Sequence, residues 1–161
     1  MKTDLKVGDI IVINKYITPD NIEMKQHSFV VLSNQFGSVT GIEIGLDIEL
    51  KFDLVTTVMS SIKNEEHKNK IQSYYPKDMI VEFNDAQISN GNKKDGFIKA
   101  NQLYYFQRDN IDYFRIGKLN ESTLDKLLQL VKLNDQNGEL IANYNNIIQK
   151  SIVEKDTTPV G

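Results

Sequence analysis

Three places along the chain carry side chains able to do chemistry. The first is Lys25-Gln26-His27-Ser28, directly before the apolar run Phe29-Val30-Val31-Leu32. A histidine at the mouth of a strand can take or give a proton near neutral pH; the plain alternative is a polar loop entering a strand. The second is Ser60-Ser61, which closes the β-branched run from Leu54 to Met59. Serine at a strand end is usually turn chemistry, yet two hydroxyls beside Lys63 offer donors and charge for a phosphate. The third is residues 62–78, where Lys63, His67, Lys68, Lys70 and Lys77 surround the pair Tyr74-Tyr75. Glu65, Glu66 and Asp78 nearly balance those lysines, which favours a solvated loop or helix face over a basic patch. The interleaved tyrosines pull the other way, because bases stack on aromatic rings beside cations in single-strand binders.

The stronger signatures are missing. The chain has no GxxxxGK[ST], no GxGxxG, no HExxH and no GxSxG. Asp109-Asn110-Ile111-Asp112 lacks the glycine and the distant glutamate of a calcium loop, and reads as a turn.

These side chains must be held by elements, and two patterns divide the sequence. From Val7 to about Gly117, short apolar runs alternate with Gly, Asn, Asp and Ser: Ile10–Ile13, Phe29–Leu32, Leu54–Met59, Met79–Phe83, Phe97-Ile98, Leu103–Phe106 and Tyr113–Ile116. Runs of this length with β-branched and aromatic content predict strands. Residues 62–72 could form a short polar helix. After Gly117 the period changes. Asn120 or Ser122 can cap a helix whose stripe is Leu124, Leu127, Leu128 and Val131, and Asn137-Gly138 ends it. A second helix is expected over residues 139–153, with Ile141, Tyr144, Ile147, Ile148 and Ile152 as its apolar stripe, before a polar tail. The expected architecture is mainly β with C-terminal helices. An SH3-like barrel leads and an OB-like barrel comes second; a barrel this small fills its own interior and leaves function to the surface.

Composition narrows the function. At 161 residues the chain is one domain with a small appendage, divided here as 1–134 and 135–161. A net charge of −3 excludes a globally basic nucleic-acid binder but not a local basic groove. With no Cys, thiolate catalysis, disulfides and Cys-based metal sites are out; with two His, a multi-His metal site is not expected. No apolar stretch is long enough for a membrane span, and the opening Met1-Lys2-Thr3-Asp4 lacks a signal-peptide pattern, so a cytoplasmic protein is expected.

Taken in order, several segments resemble the MazF/PemK toxins. Val7-Gly8-Asp9-Ile10-Ile11 is similar to that family's opening x-G-D-[IV]-[VY]. His27-Ser28-Phe29-Val30-Val31-Leu32-Ser33-Asn34 is similar to its R-P-x-[VL]-V-[LI]-[SQ]-N. Val58-Met59-Ser60-Ser61 falls where the family has an apolar pair and T-[ST]. Residues 95–103, from Asp95-Gly96 to Gln102-Leu103, resemble its late D-[GS]-[VY]-[IA]-x-x-[DE]-Q-[IV], and residues 122–132 sit where it has a C-terminal helix.

The resemblance implies an SH3-like barrel, commonly a homodimer, that cleaves single-stranded RNA without a metal or other cofactor and is held by a cognate antitoxin, protein or RNA. It implies roles for two positions. The family's arginine, which moves a proton and steadies phosphate, corresponds to His27; its threonine at the scissile phosphate corresponds to Ser60, with Ser61 beside it. Lys63 and Lys25 are then candidates to stabilise phosphorane charge, and Lys68, Lys70, His67, Tyr74 and Gln102 to contact RNA. The chain departs from the pattern too. His27 replaces a permanent bidentate cation by a titratable group, and Ser28 replaces proline. Residues 37–53 and 63–77 look longer than in compact members, and nothing after Asn134 has a counterpart. The rival expectation is a non-catalytic barrel that binds nucleic acid or protein.

Overall fold

The computed structural model describes residues 4–17, 23–24, 26–40, 49–62, 64–75, 79–83, 88–89, 96–144 and 150–151. Along the chain come β1 (Asp9–Ile13), β2 (Tyr16–Ile17), β3 (Glu23–Met24), β4 (His27–Ser33), β5 (Gly37–Thr40), β6 (Glu49–Phe52) and β7 (Leu54–Ser61). Helix α1 (Glu65–Tyr74) follows, then β8 (Ile80–Phe83), β9 (Ile88–Ser89), β10 (Gly96–Lys99), β11 (Gln102–Phe106) and β12 (Tyr113–Leu119). Helix α2 (Glu121–Gln136), β13 (Ile141–Tyr144) and β14 (Lys150–Ser151) complete the order. The protein is mainly β.

The main sheet runs β14-β13-β11-β7-β4-β1-β12-β9, with β10 also on β7 and β8 on β10. Its described strand pairs leave it open, with β9 and β14 ending the path, so they do not close into the expected barrel. Short hairpins β2-β3 and β5-β6 stand apart; the second occupies the long 37–53 region.

Both faces of the sheet's centre are buried, which is why its strands read as continuous apolar runs rather than alternating ones. Alternation sends Ile11, Ile13, Phe29, Val31, Leu54 and Val58 to one face, where they pack with Leu5, Tyr16, Phe106 and Ile111. It sends Ile10, Val30, Met59, Val81, Phe83 and Ile98 to the other, under Leu127 of α2 with Leu124, Leu130 and Val131 beside it. Asn120 caps α2 by accepting from the Thr123 amide at 2.9 Å.

The Gly8-Asp9 pair is structural. Gly8 takes φ 93, and a Cβ there would meet Leu124 Cδ2 at 2.8 Å, so glycine lets α2 close on the start of β1. Asp9, buried, accepts from the Lys6 amide at 2.9 Å and pairs with Arg115 at 3.1 Å. Residues Arg108–Asn110 form a 3-10 turn, as the turn reading of that stretch requires.

The helix expected over 139–153 does not form where the chain is described: residues 139–144 and 150–151 hold none, and Ile147, Ile148 and Ile152 lie outside the described residues. Residues 141–144 are a strand lying parallel to β11, with Gln102 opposite Ile141 and Tyr104 opposite Asn143. The apolar spacing fits a helical period, but β11 offers an edge with unpaired backbone groups, and α2 provides the crossover that a parallel partner needs. Asn143 settles the register by donating from Nδ2 to the Leu103 carbonyl at 3.1 Å, deep in the fold. Asn134, at the end of α2, donates to the Leu130 carbonyl at 2.8 Å and reaches the Ala100 carbonyl at 3.4 Å, tying the crossover to the sheet.

Phe29 is fully buried and packs edge-on against Tyr16, Tyr104 and Phe106 at centroid distances of 5.4, 5.5 and 5.6 Å. In urea unfolding, Phe29→Ala should cost about 3–5 kcal/mol. Phe36→Ala, at a ring 71% exposed, should stay within about 0.5 kcal/mol of wild type.

Candidate functional site

Strand β7 carries the site because three strands share its two edges. Along one edge lies β4. Along the other lie β10, pairing Gly96 with Ser61 and Ile98 with Met59, and then β11, pairing Tyr104 with Thr56 and Phe106 with Leu54. The chain between β10 and β11 turns at Ala100-Asn101, where the Ala100 amide bonds to the Met79 carbonyl at 2.8 Å. This break lets β8 join β10 while β13 joins β11.

Paired residues point to the same face, so the register aligns one row of side chains. Ile13 lies opposite His27 across β1 and β4. Ser28 lies opposite Met59 in the last pair of β4 and β7; His27 and Ser60 are the next residue of each strand, both on the other face from Ser28 and Met59, and both line one cleft. Ser60 pairs with Phe97, and Phe97 with Glu82. His27, Ser60, Phe97 and Glu82 therefore follow one another over β4, β7, β10 and β8. Two of the residues singled out in the sequence are brought together.

The row has an aromatic backing. The His27 ring meets Tyr16 edge-on, at 6.0 Å between centroids and 83° between planes, and Tyr16 in turn meets Tyr104 at 6.3 Å. Burial pushes the Tyr16 phenol well above the ordinary tyrosine value, with Tyr104 adding to it; burial, then Tyr75, pushes up Tyr104. Both phenols thus stay protonated and available as donors. A cleft of about 400 Å³ opens at these strand ends, lined by Gln26, His27, Ser28, Ser60 and Ser61 together with Val12, Met59 and Phe83.

The other expected residues distribute differently. Ser61 alternates away from Ser60, falls opposite Gly96 and joins Ser28 and Met59 on the second face. The approach there is close: a Cβ on Gly96 would stand 2.5 Å from the Ser60 carbonyl oxygen and 2.6 Å from the Phe83 ring. Lys25 and Lys63 lie outside the described residues. Among the described residues lining the cleft there is no lysine or arginine. His67, Lys68, Lys70 and Tyr74 are on α1, and none of them lines this cleft. That segment is the short helix expected from residues 62–72. Asn64 caps it, accepting from the His67 amide at 2.8 Å, and only Ile71 is buried. Gln102 lies in β11 opposite Ile141, and its Oε1 faces the Tyr104 hydroxyl at 3.4 Å. It belongs to the sheet rather than the cleft.

Sequence reasoning passed over Tyr16, Tyr104, Phe97 and Glu82. Spacing along the chain gives no sign of them, because their place in the row comes from pairing between strands far apart in sequence.

No protein-family model and no curated protein matches this chain.

Because Tyr16 and Tyr104 ionise only above the ordinary value of 10.0, the folded state holds their protons more tightly than the unfolded state. The stability this contributes is complete below pH 10 and is lost as pH rises through the raised values. Unfolding followed by circular dichroism should set in above pH 10, with phenolate absorbance of these two rings appearing along with it. Tyr16→Phe should weaken that alkaline loss.

Proposed function

We propose that this chain is a metal-independent endoribonuclease of the toxin–antitoxin kind, acting on single-stranded RNA in the cytoplasm. The observation that carries the reading is that His27 and Ser60, each one residue beyond the last β4–β7 pair, line the same cleft. The resemblance to MazF/PemK toxins expects a proton-moving group and a phosphate-holding hydroxyl at those two positions. Closure of the curved sheet into an SH3-like barrel of that family is part of the same proposal.

The chemistry is in-line attack within the substrate. His27 takes the proton from a 2′-hydroxyl, and the 2′-oxygen forms a bond to the adjacent phosphorus. The bond to the 5′-oxygen breaks, the leaving oxygen takes a proton from water, and the protonated His27 returns its own to solvent. The products are a 2′,3′-cyclic phosphate and a 5′-hydroxyl. Ser60 donates to a phosphate oxygen as charge builds on it. Lys25 and Lys63, close in sequence to His27 and Ser60, supply positive charge; Ser61, on the opposite face of β7 from Ser60, takes no part in this step. Lys68, Lys70, His67 and Tyr74 of α1 meet the strand beyond the reacting phosphate or the acidic part of an antitoxin.

One observation favours a second reading. The described lining of the cleft holds no permanent cation, which suits a module that binds RNA or protein without cutting it. The homodimer that the resemblance implies belongs to the nuclease proposal; light scattering at micromolar concentration should return twice the chain mass.

Cleavage of a single-stranded RNA by purified protein separates the readings. His27→Ala should slow it by about 10²–10⁴-fold, the range for losing a general acid or base. Ser60→Ala should cost about 10–10³-fold. His27→Arg keeps activity if phosphate clamping dominates and loses it if proton transfer does. Wild type that binds RNA without cutting it would favour the binding module.

A further inference from the structure

A second cleft, of about 380 Å³, lies at the far end of the His27–Ser60–Phe97–Glu82 row, lined by Gln72, Tyr75, Ile80, Glu82 and Lys126. Its size suits a small planar ligand. Strand β8 places Ile80 and Glu82 on the face that carries Phe97, α1 brings Gln72 and Tyr75 over them, and Lys126 comes from α2. Three strand steps of about 4.8 Å separate β4 from β8, so Glu82 stands roughly 14 Å along the row from His27.

The polar groups here have a defined order. Gln72 donates from Nε2 to Glu82 Oε1 at 2.8 Å, which fixes the carboxylate. Glu82 and Lys126 line one cleft yet form no ion pair with each other. Acceptor oxygens and an ammonium donor are thus both offered to one cleft. Tyr75 and Ile80 supply apolar walls, and Lys99 stands over the Tyr75 ring with its Nζ 5.7 Å from the centroid.

We propose that this second cleft is a guanine-binding subsite, in which the Glu82 carboxylate accepts from the base's N1–H and N2–H and Lys126 donates to its O6. The assignment rests on the RNA reading for the ligand class. The choice of base comes from the groups themselves. Guanine alone presents two adjacent donors followed by an acceptor on its pairing edge. Adenine and cytosine set a ring-nitrogen acceptor beside their amino group, and uracil flanks its one N–H with two carbonyls, so each places a lone pair against the carboxylate. A mismatched edge also leaves buried polar groups unpaired, which is where such sites gain selectivity.

The test uses 5′-GMP and 5′-AMP binding by calorimetry, together with two single-stranded RNAs that differ only by guanine against adenine at every guanine position. Wild type should bind GMP about 10- to 100-fold tighter than AMP, as one bidentate base contact allows. Glu82→Gln should abolish that preference by putting an amide donor against the base's donors, and Lys126→Ala, at an exposed side chain, should weaken GMP binding with no effect on folding. Equal binding of GMP and AMP, or no binding of either, overturns the subsite. So does GMP selectivity that survives both substitutions. The two proposals fail separately. RNA cut equally well with and without guanine removes the subsite and leaves the nuclease; GMP selectivity through Glu82 in a protein that cuts no RNA removes the nuclease and leaves the subsite.

Discussion

A strand has two edges, and β7 must serve three partners. Strand β4 takes one edge along most of its length; β10 and β11 divide the other. Two strands can share an edge only if the chain between them steps away, and it does so at the buried turn Ala100-Asn101. Everything near the candidate site follows from that step. It frees the outer edge of β10 for β8 and the outer edge of β11 for β13, so the sheet forks at β7. It also carries Phe97 beside Ser60 and Glu82 beside Phe97, extending the row that begins at His27.

The two faces of this sheet do different work. The second face is closed by α2 through Leu127 and by the Gly8 contact with Leu124, and it is mostly core. The first face holds an aromatic cluster of Tyr16, Phe29, Tyr104 and Phe106, and its margin is where polar groups enter: His27 against Tyr16, Ser60 beside Phe97, and Glu82 under α1. The buried Tyr16, the half-buried Tyr104 and His27 at the rim form the polar margin of an otherwise apolar core cluster. Among the described residues no helix is long and apolar enough to cross a membrane.

Much of the framework was legible in the amino-acid order. Ile10–Ile13, Phe29–Leu32 and Leu54–Met59 read as strands because β-branched runs between turn residues have few other uses. The stripe of α2 and its Asn120 cap were equally plain, and α1 was within reach despite its polarity. The segment after Gly138 was not. Ile141 and Tyr144 keep a helical spacing, and what overrides it is the edge of β11, a long-range partner that no local pattern reveals. At the site, His27 and Ser60 could be picked out by type and position, but not that they share one face while Ser61 and Ser28 turn to the other. That division depends on register, which shifts whole sets of side chains between faces when it moves by one residue. Glu82 and Tyr16 lay hidden for the same reason.

The central claim is that His27, which lines one cleft with Ser60, moves the proton that starts phosphodiester cleavage. The most direct measurement is mass analysis of the RNA ends left by purified wild-type and His27→Ala protein, with folding checked by circular dichroism. The account predicts 2′,3′-cyclic phosphate and 5′-hydroxyl ends from the wild type and almost none from the variant over the same time. A folded His27→Ala protein that leaves the same ends in the same amount would contradict it.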